Sequence, residues 1–313
     1  MNDKNVCFLL GVMPRSGTNY LANLINCHNN VTMPGPIWED FFISNSNKLS
    51  SFISSSFRSW NPSWDKESKI INKRLFLSCL GSGLLEYLNT QRANQDDDKL
   101  LLTKTPTVRN LKNYFDVFPN NKLMILVRDG RSLIASGEKS FTWDFEKACK
   151  DWARGINTIN QFMRDNAKLS NQILLVKYED IYTDTHKEIS RVLNFLELEH
   201  SEYNWEEANE MGVSGSSEAV DSDGHVSWSN KVIKSESFNP LERFNNWPQA
   251  KKNRFSWLAG NAAKSLDYDI QGLELSPLEK GKQVLLDVTW PLRVLPKALY
   301  HLLINKKFIL KPH

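Results

Sequence analysis

Val6-Cys-Phe-Leu-Leu-Gly-Val12, followed by Met13-Pro-Arg-Ser-Gly-Thr18 and then by Asn19 to Cys27, is the stretch that decides the fold. The apolar run is short and unbroken, which predicts a strand buried on both faces of a parallel sheet. The next six residues form a turn. In the stretch after it, Leu21, Leu24 and Ile25 recur at helical spacing, so a helix with one apolar face follows. Strand, turn, helix in this order is the geometry of an anion site. Backbone N–H groups at the helix start point toward a ligand, and the helix dipole favours negative charge. Gly17 allows close backbone approach. Ser16, Thr18 and Asn19 add side-chain donors, and Arg15 adds a planar fork suited to phosphate or sulfate oxygens.

Outward from this unit the alternation repeats. Leu100-Leu-Leu-Thr103 reads as a strand ending at Lys104-Thr-Pro106, with a helix from Thr107 to Phe118. Lys122 to Val127 is a strand ending at Arg128-Asp-Gly-Arg131, with helices over 131–139 and 144–165. Ile173 to Val176 is a strand ending at Lys177-Tyr-Glu-Asp180, with a helix over 184–196. Residues 28–65 read as loop plus short helices, and Ile70 to Ala93 as a helix. This alternation predicts an α/β fold: a P-loop-like three-layer sandwich, its central parallel sheet of about four to five strands carrying helices on both faces. Ligands of such sheets bind beyond the carboxyl ends of the strands, where every motif named here lies. Residues 1–270 are expected to form one domain and 271–313 a basic amphipathic extension.

Composition narrows the classes. Of the 313 residues 41% are apolar and 24% charged, ordinary globular values that exclude a disordered or collagen-like chain. A net charge of +3 is too small to argue for nucleic acid. Cys7, Cys27, Cys79 and Cys149 form no CxxC pair and no cluster at zinc spacing, so reduced thiols and no metal are expected. The N-terminus shows no targeting signal, and no apolar run reaches the roughly 20 residues of a membrane span, so the expectation is a soluble, cytoplasmic protein. Residues 197–224 hold nine acids and no Lys or Arg, which reads as a solvated loop. Residues 277–313 hold seven Lys or Arg against two acids, interleaved with Leu, Val, Trp and Tyr. That pattern suits a helical tail packed on the body, or one lying on a membrane surface or a partner.

The turn is not a Walker A loop. Gly11 and Gly17 are separated by five residues instead of four, and Thr18 stands where the lysine belongs. That lysine serves the β- and γ-phosphates, so its absence argues against ATP hydrolysis and against a P-loop small-molecule kinase. A non-catalytic nucleotide-binding module is the other rival.

Pro14-Arg-Ser-Gly-Thr-Asn-Tyr-Leu21 resembles the 5′-phosphosulfate loop of sulfotransferases that use 3′-phosphoadenosine-5′-phosphosulfate (PAPS). With Arg in second place it is more similar to tyrosylprotein and bacterial sulfotransferases than to the cytosolic steroid and phenol group, which has Lys. Leu126-Val-Arg-Asp-Gly-Arg-Ser-Leu-Ile-Ala-Ser136 resembles the 3′-phosphate motif of the same family. Ser132 and Ser136 are one helical turn apart, and Arg128 leaves the strand beneath them, so the three suit one phosphate. The resemblance is clear over 6–30 and 100–200, weaker over 201–265 and absent from 277–313.

The resemblance implies PAPS as co-substrate, 3′,5′-adenosine bisphosphate as product, and no metal. It implies that Arg15, Ser16, Gly17, Thr18 and Asn19 hold the 5′ end, and that Arg15 and Lys104 stabilise the transition state. The steroid and phenol group takes its base from a His in a KTH motif; here Pro106 stands at that position. The tyrosylprotein-like enzymes use a Glu after the first helix, and Pro36-Ile-Trp-Glu-Asp40 offers Glu39, with Asp40 second and His28 third. Gly212-Val-Ser-Gly-Ser-Ser217 and Phe238-Asn-Pro-Leu-Glu-Arg243 are similar to a late loop that closes over the nucleotide, which adds Ser216, Ser217 and Arg243 as cofactor contacts, although the RKG of the cytosolic group is missing. Tyr178 and Glu179 match the family's YE pair, for which a structural role is expected. An aromatic ring is expected on the adenine. The acceptor is expected to be a hydroxyl, less readily an amine, on a glycan, lipid-linked sugar, natural product or peptide. No nucleic-acid partner is expected, and the C-terminal tail is a candidate for peripheral membrane contact.

Overall fold

A computed structural model describes residues 6–64, 72–92, 98–214, 231–232, 239–269, 275–290 and 292–293. Contacts divide the chain into two compact units, Met1–Asn246 and Trp247–His313. Residues 247–270, placed with the first domain on sequence, thus cluster with the second unit.

Five parallel strands form the centre of the first unit. β1 (Val6–Gly11), β2 (Val31–Thr32), β3 (Leu100–Thr105), β4 (Lys122–Val127) and β5 (Ile173–Lys177) lie in the order β2-β3-β1-β4-β5. Leu9 stands opposite Lys104 on one side and Met124 on the other. After β3 the chain crosses to the far side of β1 to make β4. Sheets with such a reversal carry their ligand crevice at that point, which here lies beyond the carboxyl end of β1.

Every residue of β1 is buried, which is why its run is apolar without alternation. Cys7 and Leu9 face a layer made by α1 (Thr18–Ile25) and α8 (Thr185–Leu196), meeting Leu21, Leu24, Ile189, Val192 and Leu193. Phe8 faces the other layer. It stacks on Phe118 at 4.4 Å and meets Tyr114 edge-on at 5.6 Å. That layer is built by α3 (Lys73–Asn89), α4 (Tyr114–Val117) and α6 (Phe145–Asp165), where Phe115 stacks on Phe162 at 5.7 Å. Each large side chain buried this way contributes about 1.5–3 kcal/mol.

Two local expectations are corrected. The helix expected over 107–118 starts late: residues 107–110 are non-helical, Leu111–Asn113 form a 3-10 turn, and only α4 is α-helical. Asn110 takes a left-handed φ of 61°, and its side chain donates to Ser44 O at 2.7 Å, tying the segment to residues 44–47. Residues 28–65 contain β2, too short to read, and α2 (Ser46–Ser59), 14 residues long. The serines that made α2 look like loop satisfy themselves within the helix. Ser51, Ser54, Ser56 and Ser59 each donate to the carbonyl four residues back. None of the four cysteines is in a disulfide; Cys7, Cys27 and Cys149 are buried and Cys79 is exposed.

The second unit contains α10 (Gln249–Lys264) and a helix over residues 277–290. Arg254 of α10 donates to Gln283 Oε1 at 3.2 Å and to Asp287 Oδ1 at 2.6 Å, and Trp257 Nε1 donates to Asp287 Oδ2 at 2.7 Å. Among the described residues no helix is long and apolar enough to cross a membrane.

Candidate active site

The turn after β1 is held from inside. Buried Ser16 donates from Oγ to Met13 O at 2.5 Å and accepts from Met13 N at 3.3 Å. Arg15 and Gly17 take left-handed φ values of 73° and 98°. The first is costly for a residue with a side chain, and such strain concentrates at functional loops. At Gly17 a Cβ would lie 2.5 Å from the Tyr178 ring, so only glycine fits there. Gly17 also starts α1. No side chain caps that helix and its first turn carries no acid, so its leading N–H groups face the crevice without a side-chain acceptor. Thr18 is buried beside them, and Asn19 Oδ1 is buried without a hydrogen-bond partner.

Arg128 leaves the end of β4 almost fully buried. Its Nη1 donates to Arg15 O at 2.9 Å, its Nη2 to Pro240 O at 2.6 Å, and its Cζ lies 4.3 Å from the centre of the Tyr178 ring. Its Nε is buried without a partner. Arg15 Nε donates to Ser136 Oγ at 3.1 Å, so the two sequence motifs meet although 121 residues separate them. Arg243 stands close enough to act on both Arg15 and Tyr178. Burial, then the like charges of Arg128 and Arg243, push the Arg15 pKa down to about 10. The guanidinium still carries its proton at neutral pH.

The helix after β4, α5 (Gly130–Phe141), is capped by Asp129, which accepts from Arg131 N at 2.8 Å and pairs with Arg131 at 2.6 Å. Asp129 therefore bonds Arg131 and leaves Arg128 to the crevice. Glu179, in α7 (Tyr178–Thr183), accepts from Asp129 N at 2.9 Å and joins the ends of β4 and β5. Ser132 donates to Leu241 O. Pro240 and Leu241 thus lie over the second motif through their carbonyls. Ser216 and Ser217 lie outside the described residues.

Lys104, near the end of β3, has a different setting. It is 1% exposed, yet its Nζ has one hydrogen-bond acceptor, Trp38 O at 3.0 Å. The Trp38 ring lies 4.4 Å from Nζ, and Glu39 Oε1 lies at 3.9 Å. Burial pushes the Lys104 pKa down to about 8, against the pull of Glu39 and Asp40. Burial also raises the pKa of Glu39, which Lys104 opposes. Asp40 is committed elsewhere. Its Oδ1 accepts from Phe42 N at 2.8 Å and its Oδ2 from Thr103 Oγ1 at 2.8 Å. With Phe41 N donating to Thr105 Oγ1 at 3.1 Å, Asp40 docks segment 38–42 onto β3 and aims Glu39 at the ammonium. Phe41 has a left-handed φ of 53°, a second strained residue at the crevice.

His28 is away from these groups. Its Nδ1 accepts from Asn30 N at 3.0 Å within its own turn, and its Nε2 bonds Glu199 O at 2.9 Å, which fastens the end of α1 to the chain before Tyr203. One participant was read only in part in the sequence, and two went unread. Tyr178 supplies the ring beneath Arg128 in addition to a structural place. Trp38 and Pro240 act through backbone carbonyls, which leave no signature in residue type.

An α/β sheet with an uncapped helix start after its central strand, and an arginine at the end of the neighbouring strand, is the geometry of an anion site. The model of the sulfotransferase family matches residues 8–202, more than half of the chain. The chain belongs to the sulfotransferase family. Over 217 residues it is 25% identical to a Caenorhabditis briggsae protein described as "Putative protein-tyrosine sulfotransferase", which covers 64% of this chain and 68% of the relative. The sulfotransferase domain of the Synechococcus PCC 7002 olefin synthase shares the fold, with a TM-score of 0.52 and 18% identity over 85% of this chain and 96% of that one.

Proposed function

We propose that the protein transfers a sulfuryl group from PAPS to an acceptor hydroxyl. The observation that carries this reading is the gathering of Arg15, Arg128 and Arg243 around Tyr178, beside the uncapped start of α1. Like charges held together in a buried place repel, and a bound polyanion relieves that repulsion. The residues fit such a ligand: Arg128 keeps a buried Nε–H, a donor, with no partner.

In this reading Arg15, Ser16, Gly17, Thr18 and Asn19 hold the 5′-phosphosulfate, through backbone N–H groups and the Arg15 guanidinium. Arg128 and Ser136 hold the 3′-phosphate, and Arg243, with Ser216 and Ser217, closes over the nucleotide. When bound, PAPS supplies the sulfuryl group: the acceptor O–S bond forms as the bond from sulfur to the 5′-phosphate oxygen breaks, releasing 3′,5′-adenosine bisphosphate. Glu39 takes the proton from the acceptor hydroxyl; its raised pKa brings it closer to neutral pH, where a general base works best. Lys104 and Arg15 face the charge that develops on the bridging oxygen, where a positioned cation acts more strongly in the transition state than before it. Trp38, 57% exposed beside Glu39, offers the acceptor a flat face. The description of the nematode relative makes a phenolic hydroxyl the first acceptor to assay.

Thermal unfolding tests the reading. A ligand at 100 times its Kd stabilises by about 2.7 kcal/mol, and each kcal/mol raises Tm by roughly 2–4 °C in a chain of this size. A clear rise with 3′,5′-adenosine bisphosphate and none with ATP plus Mg²⁺ is expected. A rise with Mg-ATP alone would overturn the assignment.

A further inference from the structure

The helix over residues 277–290 is two-sided, and residues 292–293 are also helical. One side meets α10: Gln283 is buried, and Asp287 is tied to Arg254 and Trp257. The other side carries Leu278, Leu285, Val288 and Leu292, each between 64% and 73% exposed, with Val284 at 51% beside them. At about 100° per residue Leu278, Leu285 and Val288 fall within roughly 80° of the helix circumference. An ordered apolar stripe of this kind marks a contact surface.

Charge decides what fits it. The only acids of residues 277–293 are Glu279 and Asp287. Both turn away from the stripe. Asp287 bonds α10, and Glu279 accepts from Asn253 Nδ2 at 3.4 Å and from Lys282 Nζ at 2.7 Å. Lys282 and Arg293 border the stripe on one side. Residues 294–313 add four Lys and no acid in sequence. A second copy of the chain fits poorly. Gly281 leaves a gap within the stripe, antiparallel pairing brings Lys282 toward Arg293, and five apolar side chains fall short of the roughly 20–30 residues per side of a stable interface.

We propose that this helix lies in the plane of an anionic membrane surface, with Leu278, Leu285, Val288 and Leu292 in the headgroup–acyl boundary and the basic residues toward acidic lipid. The inference is independent of the reaction assigned above. The test is flotation of the full chain with vesicles of phosphatidylcholine alone or with about 30% phosphatidylserine, alongside the double variant Leu285→Glu/Val288→Glu and the double variant Lys282→Glu/Arg293→Glu. The full chain is expected to float with the anionic vesicles at least about tenfold more than with the neutral ones, and less at high salt. The apolar double variant is expected to lose about tenfold or more of this binding while its thermal unfolding is unchanged, and the basic double variant to lose several-fold together with the salt sensitivity. No flotation of the full chain with either vesicle would overturn the proposal. So would binding that survives Leu285→Glu/Val288→Glu, or a dimer in light scattering that this variant breaks without any vesicle binding.

Discussion

The ends of β4 and β3 flank the same central strand and hold their cations in opposite ways. Beyond β4, Arg128 rests on two carbonyls and an aromatic ring, with Arg15 and Arg243 as charged neighbours. At β3, Lys104 faces Glu39 across 3.9 Å. Arg15 keeps its charge throughout the physiological range, since its pKa falls only to about 10. In the pair, burial moves the lysine down to about 8 and the glutamate up, so both approach neutrality. A set of permanent like charges is suited to holding an anion. A pair whose pKa values are driven together is suited to moving a proton while one cation stays fixed. In the proposed reading Arg128 serves binding and the β3 pair serves proton transfer, while Arg15 contributes to both binding and charge stabilisation.

Substitutions that touch only one end sharpen or break this division. The largest effect is expected from Glu39→Gln, which lowers kcat by about 10²–10⁴ as removal of a general base does, with Tm unchanged. Asp40→Asn is the contrast: it disturbs a buried acceptor of two hydrogen bonds and lowers Tm. Loss of kcat at normal Tm in Asp40→Asn, with Glu39→Gln active, would exchange the two roles. Lys104→Ala lowers kcat by about 10²–10³, the cost of losing one preorganised donor. The sign of the pH dependence follows from the same side chain. The Lys104 ammonium is lost as pH rises through about 8, so kcat falls on that side, and the raised Glu39 pKa moves the acidic limb above the usual carboxylate range. Steady-state kinetics from pH 5 to 10, with Glu39→Gln lacking the acidic limb, checks both, at roughly tenfold per pH unit beyond each limb. Arg128→Lys keeps the charge and loses the fork, so affinity for the bisphosphate falls by about tenfold or more. Gly17→Ala has the smallest effect expected. It destabilises by more than about 1 kcal/mol, since alanine resists positive φ and its Cβ meets Tyr178. A Tm lowered by several degrees checks it in the absence of any ligand.

Much of the β4 end was legible in the sequence. The anion loop is local, from Val12 to Asn19, and Arg128 and Ser136 belong to one strand–helix junction, so residue type and spacing carried the signal. The parallel sheet was legible for the same reason, because each buried strand is a continuous apolar run. The β3 end was legible only in part. Glu39 and Asp40 are adjacent and chemically alike. What separates them is Thr103, 63 residues away, which takes up an Asp40 oxygen and leaves Glu39 toward Lys104. The carbonyls of Trp38, Pro240 and Leu241 belong to no residue type, so composition and motif are blind to them. The helix expected over 107–118 failed because a left-handed Asn110 and its bond to Ser44 are tertiary choices.

The most direct test is isothermal titration of 3′,5′-adenosine bisphosphate into the wild-type chain and into Arg128→Lys and Lys104→Ala. If binding belongs to the arginines and chemistry to the β3 pair, the wild type binds, Arg128→Lys weakens Kd by about tenfold or more, and Lys104→Ala stays within about twofold while losing turnover. A wild type that does not bind, or a loss of affinity in Lys104→Ala as large as in Arg128→Lys, would contradict the division.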